Sequence, residues 1–230
     1  MTSAAYPRHV ALWQEVEPRT PTTDLSHDRQ HLERVYAWAL RLASEAGVEP
    51  DLAGAAALLH DLVSVPKEDP GRQQASERSA EAAIELLQRA GYAAPEIEQI
   101  VEAIRTASWS RGLQPAAPLG ALLQDADRLD AIGAIGIART VACAQGMTAR
   151  GRALRLYDPD DPLARRRPPD EGRNALDHFQ TKLLRLAATM HLPTAREEAA
   201  RRQATMLGFL EELARELDQS SGFPPVACSP

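Results

Sequence analysis

The chain has 230 residues, of which 44% are hydrophobic, only 4% aromatic and 25% charged, and its formal net charge is -6. This length suits one domain with one core, the shortage of aromatics favours helices over sheets, and the acidic charge argues against general nucleic-acid binding. Two distant cysteines do not indicate a disulfide framework, no apolar run reaches the ~20 residues of a membrane span, and no secretory signal opens the sequence, so we expect a cytoplasmic protein.

Helical periodicity organises the chain after a leading segment at residues 1–23. N-cap residues open the first predicted helix and Gly47 closes it, while Pro50 suits the first turn of the next. The predicted helices are 26–46, Pro50 to the His60 and Asp61 pair, 73–89, Pro95 onward, and the apolar stretch 119–144. Gly133 and Gly136 in that last stretch are spaced like small residues that allow close helix packing.

The C-terminal part begins with a change of composition. Residues 145–173 are rich in Arg, Pro, Asp and Gly, which predicts a long loop of the kind that is functional or disordered. Helical periodicity returns at 174–190 and 194–218, and 219–230 reads as a loose tail. We therefore predict an all-α, compact multi-helix bundle in which residues 24–144 form the core and 174–218 complete the same domain.

Four potential metal ligands interrupt or end apolar helical runs. They are His31, His60, Asp61 and Asp127. Polar groups that point into a core must be paired, and one cation satisfies several of them at once. A mixed nitrogen and oxygen set suits Mn, Fe, Ni, Co, Zn or Mg without selecting one of them. His27 is an alternative first ligand, and a helix face salt-bridged through Arg128 is the alternative reading of "QDADRLD".

The ordered pieces "HLERV", "LLHDL" and "DADRLDAIGAIGIART" resemble the HD-domain metal-dependent phosphohydrolase superfamily, and within it the branch of bacterial nucleoside triphosphate pyrophosphohydrolases. The similarity runs from about residue 24 to residue 217. It implies an HD-domain bundle with the metal site between helices and the four ligands named above. It further implies one divalent cation, with Mn preferred over Ni, Co, Fe, Mg or Zn, a small-molecule nucleotide substrate, and a monomer or homodimer.

The same resemblance suggests roles for further residues. Asp61, Asp130 or Asp28 would orient the attacking water or accept its proton, and Arg128, Lys67 or Lys182 would stabilise negative charge in the transition state. Substrate or phosphate contacts would come from a second group, formed by His27, Lys67, Arg139, His178 and Lys182. Each residue of this second group could equally serve as a surface cation or in an ordinary ion pair.

Three departures from the superfamily patterns narrow the chemistry. No histidine occurs from Leu62 to Ala126, where dinuclear members place more, so one metal is expected and oxygenase chemistry is disfavoured. The branch often has a histidine after the fourth helix, where this chain has Trp109. The acidic pair that follows HD in alarmone hydrolases is missing, which argues against guanosine tetraphosphate as substrate.

The function implied is hydrolysis of nucleoside triphosphates to monophosphate and pyrophosphate by a metal-activated water. A nucleotide phosphomonoesterase is the enzymatic alternative. A non-catalytic nucleotide-binding regulatory module is a third reading, although a degenerate module usually loses a ligand and this chain has all four. Only the basic run "ARRRPPD" favours a nucleic-acid role. Because the chain as a whole is acidic, we do not expect a nucleic-acid partner.

Overall fold

The structure, a computed structural model, describes residues 6–21, 28–63, 65, 71 and 74–220, with side chains up to residue 218. Within these ranges the chain forms nine α-helices and no β-strand, which confirms the predicted all-α class. The helices are α1 Pro7–Val16, α2 Arg29–Ala46, α3 Pro50–Leu59, α4 Ala75–Arg89, α5 Ala94–Thr106, α6 Pro118–Asp130, α7 Gly133–Ala149, α8 Leu184–Leu186 and α9 Pro193–Ser220.

Helix α3 lies at the centre of the bundle and packs on α1, α2, α5 and α6. Every residue from Leu52 to Leu59 is buried, and most of them are alanine, glycine or leucine. Small side chains allow the neighbouring helices to approach closely, while Leu58 and Leu59 fill the remaining space and each contributes about 1.5–3 kcal/mol by burial. The C-terminal end of α3 thereby delivers His60 into the interior rather than to the surface.

Helix α1 lies inside the predicted leading segment, where no helix was expected. Leu12 and Val16 are buried, and the completely buried His9 bonds through Nε2 to the backbone oxygen of Asp51 at 2.8 Å. Gly54 makes room for this ring, because a Cβ there would lie 2.2 Å from Cε1 of His9. The signal in the sequence was the i, i+3, i+7 spacing of His9, Leu12 and Val16 after a proline.

The apolar stretch predicted as helical over 119–144 is broken at residues 131–132 into α6 and α7. Ile132 is extended and Gly133 has φ +77°, a left-handed conformation that favours glycine. A Cβ on Gly136 would lie 2.2 Å from the carbonyl oxygen of Ala131. The two glycines therefore build the corner between α6 and α7. The close packing predicted for them is confirmed at Gly133, where a Cβ would lie 3.0 Å from Cβ of Arg202 on α9.

The segment predicted as a loop at 145–173 begins with the end of α7, which continues to Ala149. Two carboxylates organise the remainder. Asp161 accepts hydrogen bonds from the backbone N–H groups of residues 165–167. The buried Asp177 accepts hydrogen bonds from both terminal nitrogens of Arg167, at 2.5 and 2.8 Å, and from the backbone N–H of Asp170. Charge-assisted hydrogen bonds thus hold this segment in an ordered loop, and it is not a solvated, irregular stretch of chain.

The final part of the chain combines irregular turns with one long helix. The helix predicted at 174–190 is replaced by a π-helical turn, Phe179–Leu183, the short α8 and a 3₁₀ turn, Ala187–Thr189. Asp125 of α6 is fully buried and accepts the backbone N–H groups of His191 and Leu192, which fixes the chain just before α9. Among the helices in the described ranges, none is both long enough and apolar enough to cross a bilayer.

Candidate metal centre

Three separate helices bring the four predicted ligands together. His31 lies in the first turn of α2, His60 and Asp61 directly follow α3, and Asp127 lies on α6. Nε2 of His31 is 3.3 Å from Nε2 of His60, 3.5 Å from Oδ2 of Asp61 and 3.8 Å from Oδ1 of Asp127. Nε2 of His60 is 3.6 Å from Oδ2 of Asp61 and 3.9 Å from Oδ1 of Asp127. All five separations fall within a narrow range.

These separations suit a divalent cation held by the two histidines and Asp127, whose ligand atoms all lie within 4.8 Å of one another, with Asp61 near both histidines. Ligand atoms about 2.1 Å from a tetrahedral cation lie roughly 3.4 Å from one another, close to the separations observed. Two imidazole nitrogens and two carboxylates form a donor set that first-row divalent metals accept. The histidines are buried, whereas the side chains of Asp61 and Asp127 are 41% and 31% exposed. The centre is therefore closed on the histidine side and open on the carboxylate side.

Both histidines are oriented through their second ring nitrogen. Nδ1 of His60 lies 2.8 Å from the carbonyl oxygen of Ala57, and Nδ1 of His31 lies 2.7 Å from Oδ2 of Asp130. Because a carbonyl oxygen can only accept and the carboxylate is ionised, each Nδ1 carries a proton, so in the neutral ring the lone pair is on Nε2. The two lone pairs face the same point, as metal ligation requires.

Asp130 is almost fully buried and was predicted to handle the attacking water or its proton. Its oxygens are instead taken by Nδ1 of His31, by Nε and Nη2 of Arg34 at 2.5 and 3.1 Å, and by Nη1 of Arg139 at 2.7 Å. Burial alone would raise the pKa of Asp130, but the bonds from His31 and Arg34 and the charge of Arg139 outweigh it and hold the pKa far below its usual range. The ionised carboxylate of Asp130 accepts hydrogen bonds from three side chains and orients the ring of His31. The direct part in catalysis predicted for Asp130 does not fit this position.

Arg34 is a residue that sequence reasoning missed. It follows His31 by three positions on α2, so it lies on the same face, and it makes a two-pronged contact with Asp130. An arginine one turn after a candidate histidine ligand was the available signal. The three carboxylates of "QDADRLD" gave no indication of which one the arginine would pair with.

Two further predicted catalytic residues support the fold near the centre. Asp28 is the N-cap of α2, and its Oδ1 accepts the backbone N–H of His31 at 2.9 Å. Arg128 is buried, and its guanidinium donates to the carbonyl oxygen of Thr189 at 2.7 Å and to Oε1 of Gln124 at 2.5 Å. Asp28 is thus bonded to the backbone of His31, and Arg128 to Thr189 and Gln124. These positions support neither the handling of the attacking water predicted for Asp28 nor the stabilisation of transition-state charge predicted for Arg128.

A cleft of about 620 Å³ opens from the carboxylate side of the centre. His60, Asp61 and Asp127 line its inner end, and three of the predicted substrate contacts, Arg139, His178 and Lys182, line its walls. Nδ1 of His178 lies 2.5 Å from Oε2 of Glu171, and Nζ of Lys182 lies 5.7 Å from the ring centroid of Trp109. His27 and Lys67, the other two predicted contacts, lie outside the described residues. The volume is within the range of sites that hold a drug-sized ligand.

The amino-acid sequence matches a known family and a known protein. Residues 29–132 match the model of the HD domain, a range that contains all four predicted ligands. The chain is 33% identical over 195 residues to the uncharacterised protein YpgQ of Bacillus subtilis strain 168, which covers 83% of this chain and 84% of that protein.

Solved structures give the same result. A crystal structure from Lactobacillus plantarum superposes with a TM-score of 0.74 at 30% identity, covering 95% of this chain and all of that one. Bacillus subtilis YpgQ in complex with ADP gives 0.68 at 29% identity, over 90% of this chain and 97% of that one. An HD-superfamily hydrolase from Bacillus thuringiensis gives 0.65 at 29% identity, over 92% and 95% of the two chains.

Proposed function

This chain belongs to the HD-domain superfamily of hydrolases, and from that membership we propose that it is a metal-dependent phosphohydrolase that cleaves nucleoside triphosphates to monophosphate and pyrophosphate. The observation that carries the proposal is the cluster of His31, His60, Asp61 and Asp127 beside an open cleft. Nε2 of each histidine lies 3.3–3.9 Å from the other Nε2 and from an oxygen of each carboxylate. A cluster of this kind in a wholly buried position would serve the fold alone. Here its two carboxylates face space that a substrate can enter.

The four side chains would hold one divalent cation, with Mn as the first choice. When bound, a divalent cation supplies Lewis-acid activation of water and of a phosphoryl oxygen near neutral pH. Asp61 is the acid best placed to accept the proton of the attacking water, because it lines the cleft and its side chain is 41% exposed. Asp130 keeps the ring of His31 in the ligating orientation throughout, since its own oxygens are already bonded.

A nucleotide is the substrate class that the cleft favours. Arg139 and Lys182 line it and would balance the charge of a polyphosphate that enters an otherwise acidic chain. The structure of YpgQ was obtained with ADP, which is a property of that relative and supports a nucleotide here. Release of pyrophosphate, rather than of orthophosphate, follows from the resemblance to the pyrophosphohydrolase branch.

A product assay tests the proposal. Metal-stripped protein is supplied with Mn, Ni, Co, Fe, Mg or Zn in turn and incubated with nucleoside mono-, di- and triphosphates, and ³¹P NMR separates orthophosphate from pyrophosphate. Metal-dependent pyrophosphate release from triphosphates is the expected result. Orthophosphate from monophosphates would replace the proposal with a phosphomonoesterase. Nucleotide binding without turnover under every metal would leave the regulatory module as the better reading.

A further inference from the structure

We propose that Trp109 is the platform on which the nucleobase stacks, in the cleft that the candidate metal ligands also line. The inference rests on the proposed function, because it presumes that the substrate carries a base. Trp109 lines the same cleft as His60 and Asp127 and is half-buried, with part of its surface packed against the core. Indole presents the largest flat π-surface of any side chain, which is the group that unpaired bases recognise.

The turn that carries Trp109 is held firmly. Trp109–Arg111 is a 3₁₀ turn directly after α5, and Gly112, with φ +62°, ends it. The guanidinium of Arg111 donates through Nη1 to the carbonyl oxygen of Arg105 at 3.0 Å and to Oγ of Ser76 at 3.1 Å. These bonds tie the turn to α5 and to the start of α4, so the indole stands on a turn that the side chain of Arg111 anchors, and not on a free loop.

Helix α6 also fixes the turn relative to the metal centre. Nε2 of Gln124, which is buried, donates to the carbonyl oxygen of Thr106 at 2.7 Å and to that of Leu113 at 3.0 Å. One side chain therefore holds the chain on both sides of Trp109. Asp127 follows Gln124 by three residues on the same helix, one turn away. The spacing between the platform and the metal ligands is thus set by a single rigid element.

Lys182 lies near one face of this indole. Its Nζ is 5.7 Å from the ring centroid, near the outer limit of about 6 Å for a cation–π contact. The other two tryptophans have arginine guanidinium groups over their rings and do not line the cleft: Arg29 over Trp13, and Arg41 with Arg202 over Trp38. Among the three, Trp109 is the one available to a substrate in the cleft.

Stacking has a consequence for specificity. Every base has a π-face, so an aromatic platform accepts all of them and distinguishes a nucleotide from a phosphate chain that lacks a base. The protein should bind ADP, GDP, CDP and UDP with affinities that agree within about tenfold, with purines ahead of pyrimidines because they stack over a larger area. It should bind inorganic tripolyphosphate more weakly than any of them.

The test measures binding by the full-length, metal-loaded protein, with ADP and inorganic tripolyphosphate as probes. In Trp109→Ala the Kd for ADP should rise by about tenfold or more, while the Kd for tripolyphosphate stays within about twofold of wild type. Trp109→Phe should restore most of the ADP affinity. ADP should quench tryptophan fluorescence in wild type and in the control Trp13→Phe, which lies outside the cleft, and should not quench it in Trp109→Phe.

Equal affinity of wild type and Trp109→Ala for ADP would overturn the platform, as would an equal loss of ADP and tripolyphosphate binding, which would mean that the cleft itself had collapsed. The outcome is separable from that of the proposed function. Nucleotide binding through Trp109 without any hydrolysis would refute the enzyme and keep the platform. Hydrolysis with an unchanged KM in Trp109→Ala would refute the platform and keep the enzyme.

Discussion

Two parts of the cleft are built in different ways. At the inner end, His31 and His60 are buried, and each ring is fixed by a second hydrogen bond. On the wall that carries Trp109 and Lys182, both side chains are half-buried, and Nζ of Lys182 lies 5.7 Å from the ring centroid of Trp109. A metal site tolerates errors of only a few tenths of an ångström in the positions of its ligands, so the inner end must be pre-organised. A wall that receives varied bases gains instead from side chains that can adjust.

Removing a ligand breaks the inner end and gives the largest expected effect. His60→Ala should lose the bound metal and reduce kcat/KM on the order of 10³-fold or more, because the cation's several kcal/mol of transition-state stabilisation disappear. Metal content by mass spectrometry, turnover and far-UV circular dichroism test this together. His178→Ala is the matched control: it removes a histidine from the same cleft outside the cluster and should keep its metal. Full turnover in His60→Ala would refute the metal mechanism.

Asp130→Asn tests whether orientation of a ligand matters as strongly as the ligand itself. An amide cannot accept from His31, Arg34 and Arg139 together, so the ring of His31 loses its fixed orientation. Loss of such a second partner typically weakens metal binding by about 10–100-fold, and we expect a change of this size in a chelator competition assay. Arg34→Gln should show a smaller change in the same direction. Unchanged metal affinity in both variants would mean that His31 needs no such support.

Asp125→Asn separates stability from metal binding on the same helix. Asp125 is as buried as Asp130, but it accepts the backbone N–H groups of His191 and Leu192. Burial raises the pKa of this carboxyl, while the two backbone bonds act in the opposite direction. An amide replaces an acceptor with a donor, so the free energy of unfolding should fall by about 1–3 kcal/mol. Chemical denaturation measures that loss, and an accompanying loss of metal affinity in the folded variant would contradict the separation.

The carboxylates of Asp125, Asp127 and Asp130 show which features could be predicted from the sequence and which could not. Helices α2 to α5 and α9, the cap at Gly47 and the four candidate ligands follow from periodicity, capping rules and the resemblance. The assignment of Asp125, Asp127 and Asp130 to three different tasks does not. All three lie on one helix within six residues, and their partners come from α2, α7 and the chain before α9, which only the tertiary fold brings near.

The missed elements have a related physical cause. α1 is stabilised by the fit of His9 over Gly54, a contact between residues 45 positions apart that local propensity does not contain. The corner at Gly133 was hidden because apolar residues continue on both sides of it, so hydropathy shows no boundary. In the loop after α7, Asp161 and Asp177 supply hydrogen bonds that composition alone represents as solvated charge.

The smallest expected effect is on the free energy of unfolding, and it concerns the contacts by which Arg202 holds α9 against α6. Arg202 of α9 donates to the carbonyl oxygen of Leu129 in the last turn of α6 and to Oε1 of Glu198, both at 2.6 Å. A hydrogen bond from Arg201, with the contribution of Arg202, lowers the pKa of Glu198 to about 2. Glu198→Gln should therefore reduce the free energy of unfolding at pH 7 by no more than about 1 kcal/mol, as expected for a solvent-accessible ion pair.

The pH dependence of that difference identifies its origin. Because the pKa of Glu198 is lower in the folded protein than its ordinary value of 4.5, its contribution is complete above pH 4.5 and is lost as the pH falls towards 2. Urea denaturation of wild type and Glu198→Gln should give free energies that differ at pH 7 and converge between pH 4.5 and 2. Other groups titrate alike in both proteins, so a difference that stays constant in acid would show that the carboxylate charge is not what secures Arg202 against α6.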